Sequence, residues 1–318
     1  MRPRLVFVHG VGGPRDTVAA REEWLRALAD GARGAGHSRN AAGLLAGTSV
    51  DVRFAYYGDL FPGGDAQGAT SDAEPSDAQG LVELFLEAVD ERLAIAQDDH
   101  EARVLGRARA QLAPEGEPQG SGDVLRRALN AANTLLALPG LRTAGGWLSA
   151  RMMVHRLGQV RSYLAREPVG GSGPGLDQRI RARVAAELDP AGATVVVAHS
   201  LGTVVAYETL HGHSGPVPLL VTLGSPIGMR AAVRPRMRPQ PLRVPPGVRA
   251  WLNFWDRDDF VTGRPLLERC VAANAAAVLP VSSRIDSDGV WVHPATKYLA
   301  QPGVAGPVLE ALEAVAAV

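Results

Sequence analysis

The segment Thr194-Val-Val-Val-Ala198-His199-Ser200-Leu201-Gly202-Thr-Val-Val-Ala206 sets a serine between two apolar runs. The first run reads as a buried strand and the second as a helix. A sharp strand-to-helix turn strains the serine backbone and raises its Oγ above the sheet edge. Bulky residues two before and two after the serine would clash there, and this chain has Ala198 and Gly202 at those positions. Such a hydroxyl is a candidate nucleophile for acyl chemistry, and a helix cap in the plainer reading. The following helix aims its first amides at the site, so the Leu201 N–H can donate to an oxyanion.

Other reactive residue types carry weaker signals. His211 and His213 form a His-x-His pair with no carboxylate close by in sequence, which reads as a solvated loop rather than a metal site. Gly10, Gly12 and Gly13 crowd one loop, but it lacks the lysine and the spacing of a nucleotide-phosphate motif. His9 reads as a brace for that loop, His199 as packing beside the serine, and Ser225 as a turn residue. Cys270, the only cysteine, reads as inert core in an apolar helix and excludes an intramolecular disulfide. No metal or organic cofactor is expected.

The Ala-His-Ser-Leu-Gly turn does not stand alone. His9-Gly10-Val11-Gly12-Gly13 follows the first apolar run, and Val221-Thr-Leu-Gly-Ser-Pro-Ile-Gly228 follows the serine helix. Together these segments resemble the α/β-hydrolase superfamily, in particular its lipase- and esterase-like branch. The resemblance spans Arg4 to Gly58 and Leu176 to Pro302, and departs from the common pattern in having Ala198 where glycine is usual. It implies that the His-Gly loop is an oxyanion loop, with the Val11 amide as second donor beside Leu201 and with Gly10 and Gly12 against the substrate. It also implies the chain order serine, acid, histidine. Within Trp251-Leu-Asn-Phe-Trp-Asp256-Arg-Asp258-Asp259-Phe-Val261, Asp259 fits the family's acid best. Asp256 at the strand end is the runner-up, and Asp258 reads as a surface or helix-capping residue. His293, followed five residues later by Tyr298, is the implied base.

These residues must be held by elements that the periodicity sketches. Strands are expected at Leu5–Val8, Val50–Tyr57, Thr194–Ala198, Leu219–Leu223, Arg249–Trp255 and Val278–Ile285. Helices are expected from Asp16 or Thr17 to Arg33, and over Leu176–Leu188, Gly202–Leu210, Leu266–Ala277 and Val308–Ala317. Continuous apolar strands alternating with helices predict a mostly parallel, doubly covered α/β sheet. Residues 75–170 interrupt this alternation. Three amphipathic helices are expected there, at Leu81–Leu112, Val124–Leu138 and Trp147–Leu164. They are flanked by the breaker-rich stretches Phe61–Gln79 and Pro168–Gly175, which have the composition of hinges. The block reads either as an added structural layer or as a cap over Ser200, with Trp147 and Met152 lining an acyl pocket. Met229–Pro246, rich in Arg and Pro, reads as a surface excursion.

The organisation is thus one domain of 318 residues, with a core over 1–60 and 176–318 and a helical cap insertion over 75–170. Hydrophobic residues at 46% and charged residues at 21% exclude a disordered chain. Thirty-three basic residues balance 33 acidic ones, which argues against a nucleic-acid partner. No apolar run is long enough to predict a membrane span, and the start is too short in apolar residues for a signal peptide. A cytoplasmic location is expected, with oligomeric state left open. The expected activity is serine-dependent hydrolysis of a small-molecule acyl ester. Acyl transfer or thioester cleavage, peptide or amide cleavage, and a catalytically silent binding role are the alternatives.

Overall fold

The computed structural model describes residues 2–12, 16–61, 75–113, 121–136, 138, 150–167, 173–259, 261–262, 265–287 and 293–317. Six strands run through it: β1 (Arg4–Val8), β2 (Asp51–Ala55), β3 (Thr194–His199), β4 (Leu220–Leu223), β5 (Trp251–Asp256) and β6 (Pro280–Ile285). All pair in parallel in one sheet of order β2-β1-β3-β4-β5-β6. From β1 the chain steps to one side, to β2. It then returns to the other side of β1 as β3 and continues outward. The order therefore reverses between β1 and β3, and the loops leaving their carboxyl ends diverge. Open α/β sheets bind ligands in the crevice at such a switch point. Val8 pairs with Ala198, so the glycine loop and the serine turn leave the sheet at one level.

Ten helices accompany the sheet among the described residues. They are α1 (Thr17–Gly34), α2 (Ser38–Leu45), α3 (Pro75–Leu93), α4 (Asp99–Leu112), α5 (Ser121–Leu135), α6 (Ala150–Ala165), α7 (Leu176–Ala185), α8 (Leu201–Leu210), α9 (Ala295–Leu299) and α10 (Pro302–Ala316). Asp16 starts α1 by accepting the Val18 and Ala19 amides at 2.9 and 3.1 Å, satisfying two donors that the first turn leaves open. Strand side chains alternate between two apolar clusters. Leu5, Phe7, Val195, Val197, Val221 and Leu223 join residues of α1, α9 and α10. Val6, Val8, Val196, Ala198 and Leu220 join residues of α3 through α8. Every residue of α8 is buried, so that helix has no solvent face and no amphipathic stripe.

Several expectations are corrected. Leu266–Ala277 is not a helix: only a short 3₁₀ turn forms, at Leu267–Arg269, and half-buried Cys270 follows it. Asn274 explains the rest, since its side chain accepts the Ala276 and Val278 amides and donates to the Pro245 and Val248 carbonyls, competing with helical pairing. The single long helix expected over Leu81–Leu112 is two, because Asp98 caps a new start by accepting the Glu101 amide. The interruption therefore carries four helices, not three. α3 begins at Pro75, inside the stretch expected to be a loop, and α2 and α9 were not expected at all. Met229–Pro246 is no surface excursion. Met229, Val233, Met237, Leu242 and Val244 are buried, and the segment is tied to α3 by Glu87, which accepts the Ala231 and Ala232 amides. Residues 62–74, 114–120 and 168–172, expected as loops, lie outside the described residues.

A buried polar cluster joins α6 to the core. The Glu208 carboxylate on α8, with its side chain fully buried, accepts from Tyr163 at 2.7 Å, Arg166 at 2.5 Å and the Arg238 amide at 2.7 Å. Arg166 also reaches Asp177 on α7 at 2.9 Å. Burial first, and the Glu208 charge second, push the Tyr163 hydroxyl well above its ordinary pKa, so it remains a donor.

Candidate active site

Ser200 sits between β3 and α8 at φ 53°, ψ −131°, a left-handed backbone that non-glycine residues rarely adopt. The Ser200 N–H donates to the Leu223 carbonyl at 3.0 Å, and the Thr203 hydroxyl donates to the Ser200 carbonyl at 2.7 Å. These bonds hold the strained turn in place. Close approach sets the neighbours. A Cβ on Gly202 would stand 2.3 Å from the His9 carbonyl oxygen, and one on Gly10 2.6 Å from the Ser200 Cβ. Glycine at both positions lets the first-strand loop lie against the serine turn.

His293 brings its Nε2 to 3.2 Å from the Ser200 Oγ. Its Nδ1 stands 2.9 and 2.8 Å from the two carboxylate oxygens of Asp259. A ring nitrogen facing a carboxylate carries the proton, which leaves Nε2 to accept from the serine hydroxyl. Ser200, Asp259 and His293 are 1%, 4% and 6% exposed, so this line of hydrogen bonds is closed from bulk water. Burial alone would raise the Asp259 carboxyl. The His293 charge, together with hydrogen bonds from His293, Tyr298 and the Val261 amide, outweighs it and holds the group below the ordinary carboxylate value.

The three aspartates of the β5 loop thus separate by environment. Asp259 alone meets a histidine. Asp256 accepts from the Ser287 amide and hydroxyl at 2.8 and 2.7 Å and from the Asp258 amide at 2.9 Å, which ties the β6 exit to the β5 loop. Asp258 is exposed and pairs with Arg92 of α3 at 3.0 Å.

Val11 is half-buried at the end of the glycine loop. Leu201 is the first residue of α8, where the N–H has no intrahelical acceptor. His9 packs edge-to-face against Tyr57, centroids 4.3 Å apart, and its carbonyl accepts from the Tyr57 hydroxyl at 2.5 Å. His199 lies beside His293, with ring centroids 4.6 Å apart, and its Nε2 donates to the His293 carbonyl at 2.6 Å. Ser225 accepts the Ile227 amide at 3.3 Å within its turn and bonds Thr203 of α8 at 2.8 Å. The His211 Nε2 meets the Arg243 carbonyl, and no cluster of metal-ligating residues occurs among the described residues. Trp147 lies outside the described residues. Met152 lies on α6, but its side chain is outside what is described.

Three sets of contacts go beyond what the sequence motifs imply. The Tyr298 hydroxyl donates to Asp259 at 2.7 Å while accepting the Asp256 amide at 3.1 Å. Arg92 bonds the Arg257 carbonyl and, at 2.5 Å, Glu101. Gln159 of α6 accepts the Gly12 amide at 2.7 Å. A signal for the last was present, since His155, Gln159 and Tyr163 recur every four residues and place polar groups on one helix face. Nothing in the sequence named their partners.

Compared with family models, curated proteins and solved structures, the chain matches none. No helix among the described residues is long and apolar enough to cross a membrane.

Proposed function

We propose that this protein is a serine-dependent carboxylic ester hydrolase of the α/β-hydrolase type, its sheet covered on both faces and α3 to α6 forming a cap. The observation that carries this reading is the hydrogen-bonded line Ser200–His293–Asp259 at the switch point of a parallel sheet, with Ser200 at a positive φ. Ser200 Oγ attacks the carbonyl carbon of a small or lipid-like acyl ester as His293 Nε2 takes its proton. The amides of Val11 and Leu201 stabilise the tetrahedral oxyanion. His293 returns the proton to the departing alkoxide, leaving an acyl-enzyme. Water, deprotonated by the same nitrogen, then releases the acid. Asp259 holds the Nδ1–H tautomer and favours the imidazolium that forms. The chemistry uses side chains and backbone alone, and a cytoplasmic setting suits it.

Acyl transfer is the second reading, favoured by the near-complete burial of Ser200, which limits competing water. Labelling with a fluorophosphonate probe tests the nucleophile. Wild type should label and hydrolyse p-nitrophenyl butyrate, and Ser200→Ala should do neither while keeping its circular dichroism spectrum. Turnover near wild type in the variant would move the nucleophile elsewhere. Product analysis with added alcohol or thiol separates hydrolysis from transfer.

A further inference from the structure

The glycine loop after β1 has a weak point. Gly12 is buried at φ 150°, in the region that favours glycine, so the peptide joining Val11 to Gly12 meets little steric resistance to turning over. Turning it over would swing the Gly12 N–H away and bring the Val11 carbonyl round, disturbing the residue whose own N–H is assigned to the oxyanion. One described side chain opposes that movement. Gln159 Oε1 takes the Gly12 N–H at 2.7 Å, and Gln159 is only 4% exposed. Its Nε2 stands 3.3 Å from the Nε2 of His155, one turn back on α6. The Gly12 N–H is a donor and selects the amide oxygen, which leaves the amide nitrogen to His155. An amide at a buried helix position is costly unless its hydrogen bonds are made. Neighbours on α6 such as Met153, Leu157 and Val160 show that apolar residues pack at this interface.

We propose that Gln159, supplied by the helical insertion, is a positioning residue: by holding the Gly12 N–H it locks the peptide after Val11 and so directs the Val11 N–H at the oxyanion. The insertion thereby sets the transition-state contacts of a loop that lies over a hundred residues earlier in the chain. This inference rests on the ester-hydrolase reading.

The test compares wild type, Gln159→Met and Gln159→Glu on p-nitrophenyl butyrate, with active sites counted by fluorophosphonate titration so that unfolded molecules drop out. The methionine variant fills the space but offers Gly12 only a weak thioether acceptor. The glutamate variant retains an acceptor for Gly12. Loss of one oxyanion donor costs ~10²–10³ in kcat, and a misdirected donor keeps part of its effect. The expected result is a kcat lower by about 10-fold or more for Gln159→Met, a KM within about 3-fold of wild type, and substantial recovery of kcat in Gln159→Glu. A methionine variant with wild-type kcat per titrated site overturns the proposal, as does a glutamate variant no better than methionine. A wild-type protein that neither labels nor hydrolyses the ester overturns the hydrolase reading itself and this proposal with it.

Discussion

Asp259 shows how much a single position depends on its partners. Its carboxylate is buried, yet hydrogen bonds from His293, Tyr298 and the Val261 amide keep it ionised. Its neighbour Asp256 has the same chemistry and instead fastens Ser287. Asp259→Asn should therefore cost far more activity than Asp256→Asn, with ~10⁴ lost in kcat as the scale set by serine proteases. A collapse in the Asp256 variant with Asp259→Asn left active would exchange the two roles. The same substitution has a signature in stability. A carboxyl whose pKa is depressed on folding stabilises the protein above its unfolded pKa of about 3.9, and that contribution is lost as pH falls through the lower folded value. Asn does not titrate, so urea unfolding of Asp259→Asn should lack this part of the acid-side decline.

At the scale of elements, α6 is attached along its C-terminal half. Gln159 binds the glycine loop, and Tyr163 and Arg166 bind Glu208 and Asp177. Glu208→Ala would strand the Tyr163 hydroxyl and the Arg238 amide and leave Arg166 only Asp177 and the Arg236 carbonyl. Removing one partner of a buried ion pair costs ~3–5 kcal/mol, and Arg166 keeps some solvent contact, so the lower part of that range is expected in chemical denaturation. A variant as stable as wild type would mean that water replaces the carboxylate and that α6 is held by apolar packing alone. Arg92 of α3 binds Glu101, the Arg257 carbonyl and Asp258, linking the insertion to the loop that carries Asp259.

For the whole molecule, the insertion shares one apolar cluster with Val8, Ala198 and Leu201, beside the serine turn. A cap in that position should select substrates by size. Trp147→Ala and Met152→Ala should shift the preference between short and long p-nitrophenyl acyl esters, read as the ratio of kcat/KM values. Equal losses on every chain length, with a lowered melting temperature, would make the block a structural layer only.

What the sequence determined by itself was whatever local rules govern. Small residues around Ser200 announce a tight strand–helix turn, and valine-rich runs announce buried strands, because steric clash and apolar burial act over a few residues. Helix edges were read less well. Asp98 and Asn274 compete for backbone groups through their side chains, which turned one expected helix into two and reduced another to a short turn. The family resemblance ranked Asp259 ahead of Asp256, but what brings Asp259 to His293 is the tertiary structure, because Asp256, Asp258 and Asp259 are chemically alike and differ in where the β5 loop points them. Tertiary structure also decided what Gln159 and Arg92 touch. The Gly12 amide and the Arg257 carbonyl among those partners lie over a hundred residues away in the chain and are backbone groups that carry no mark in the sequence.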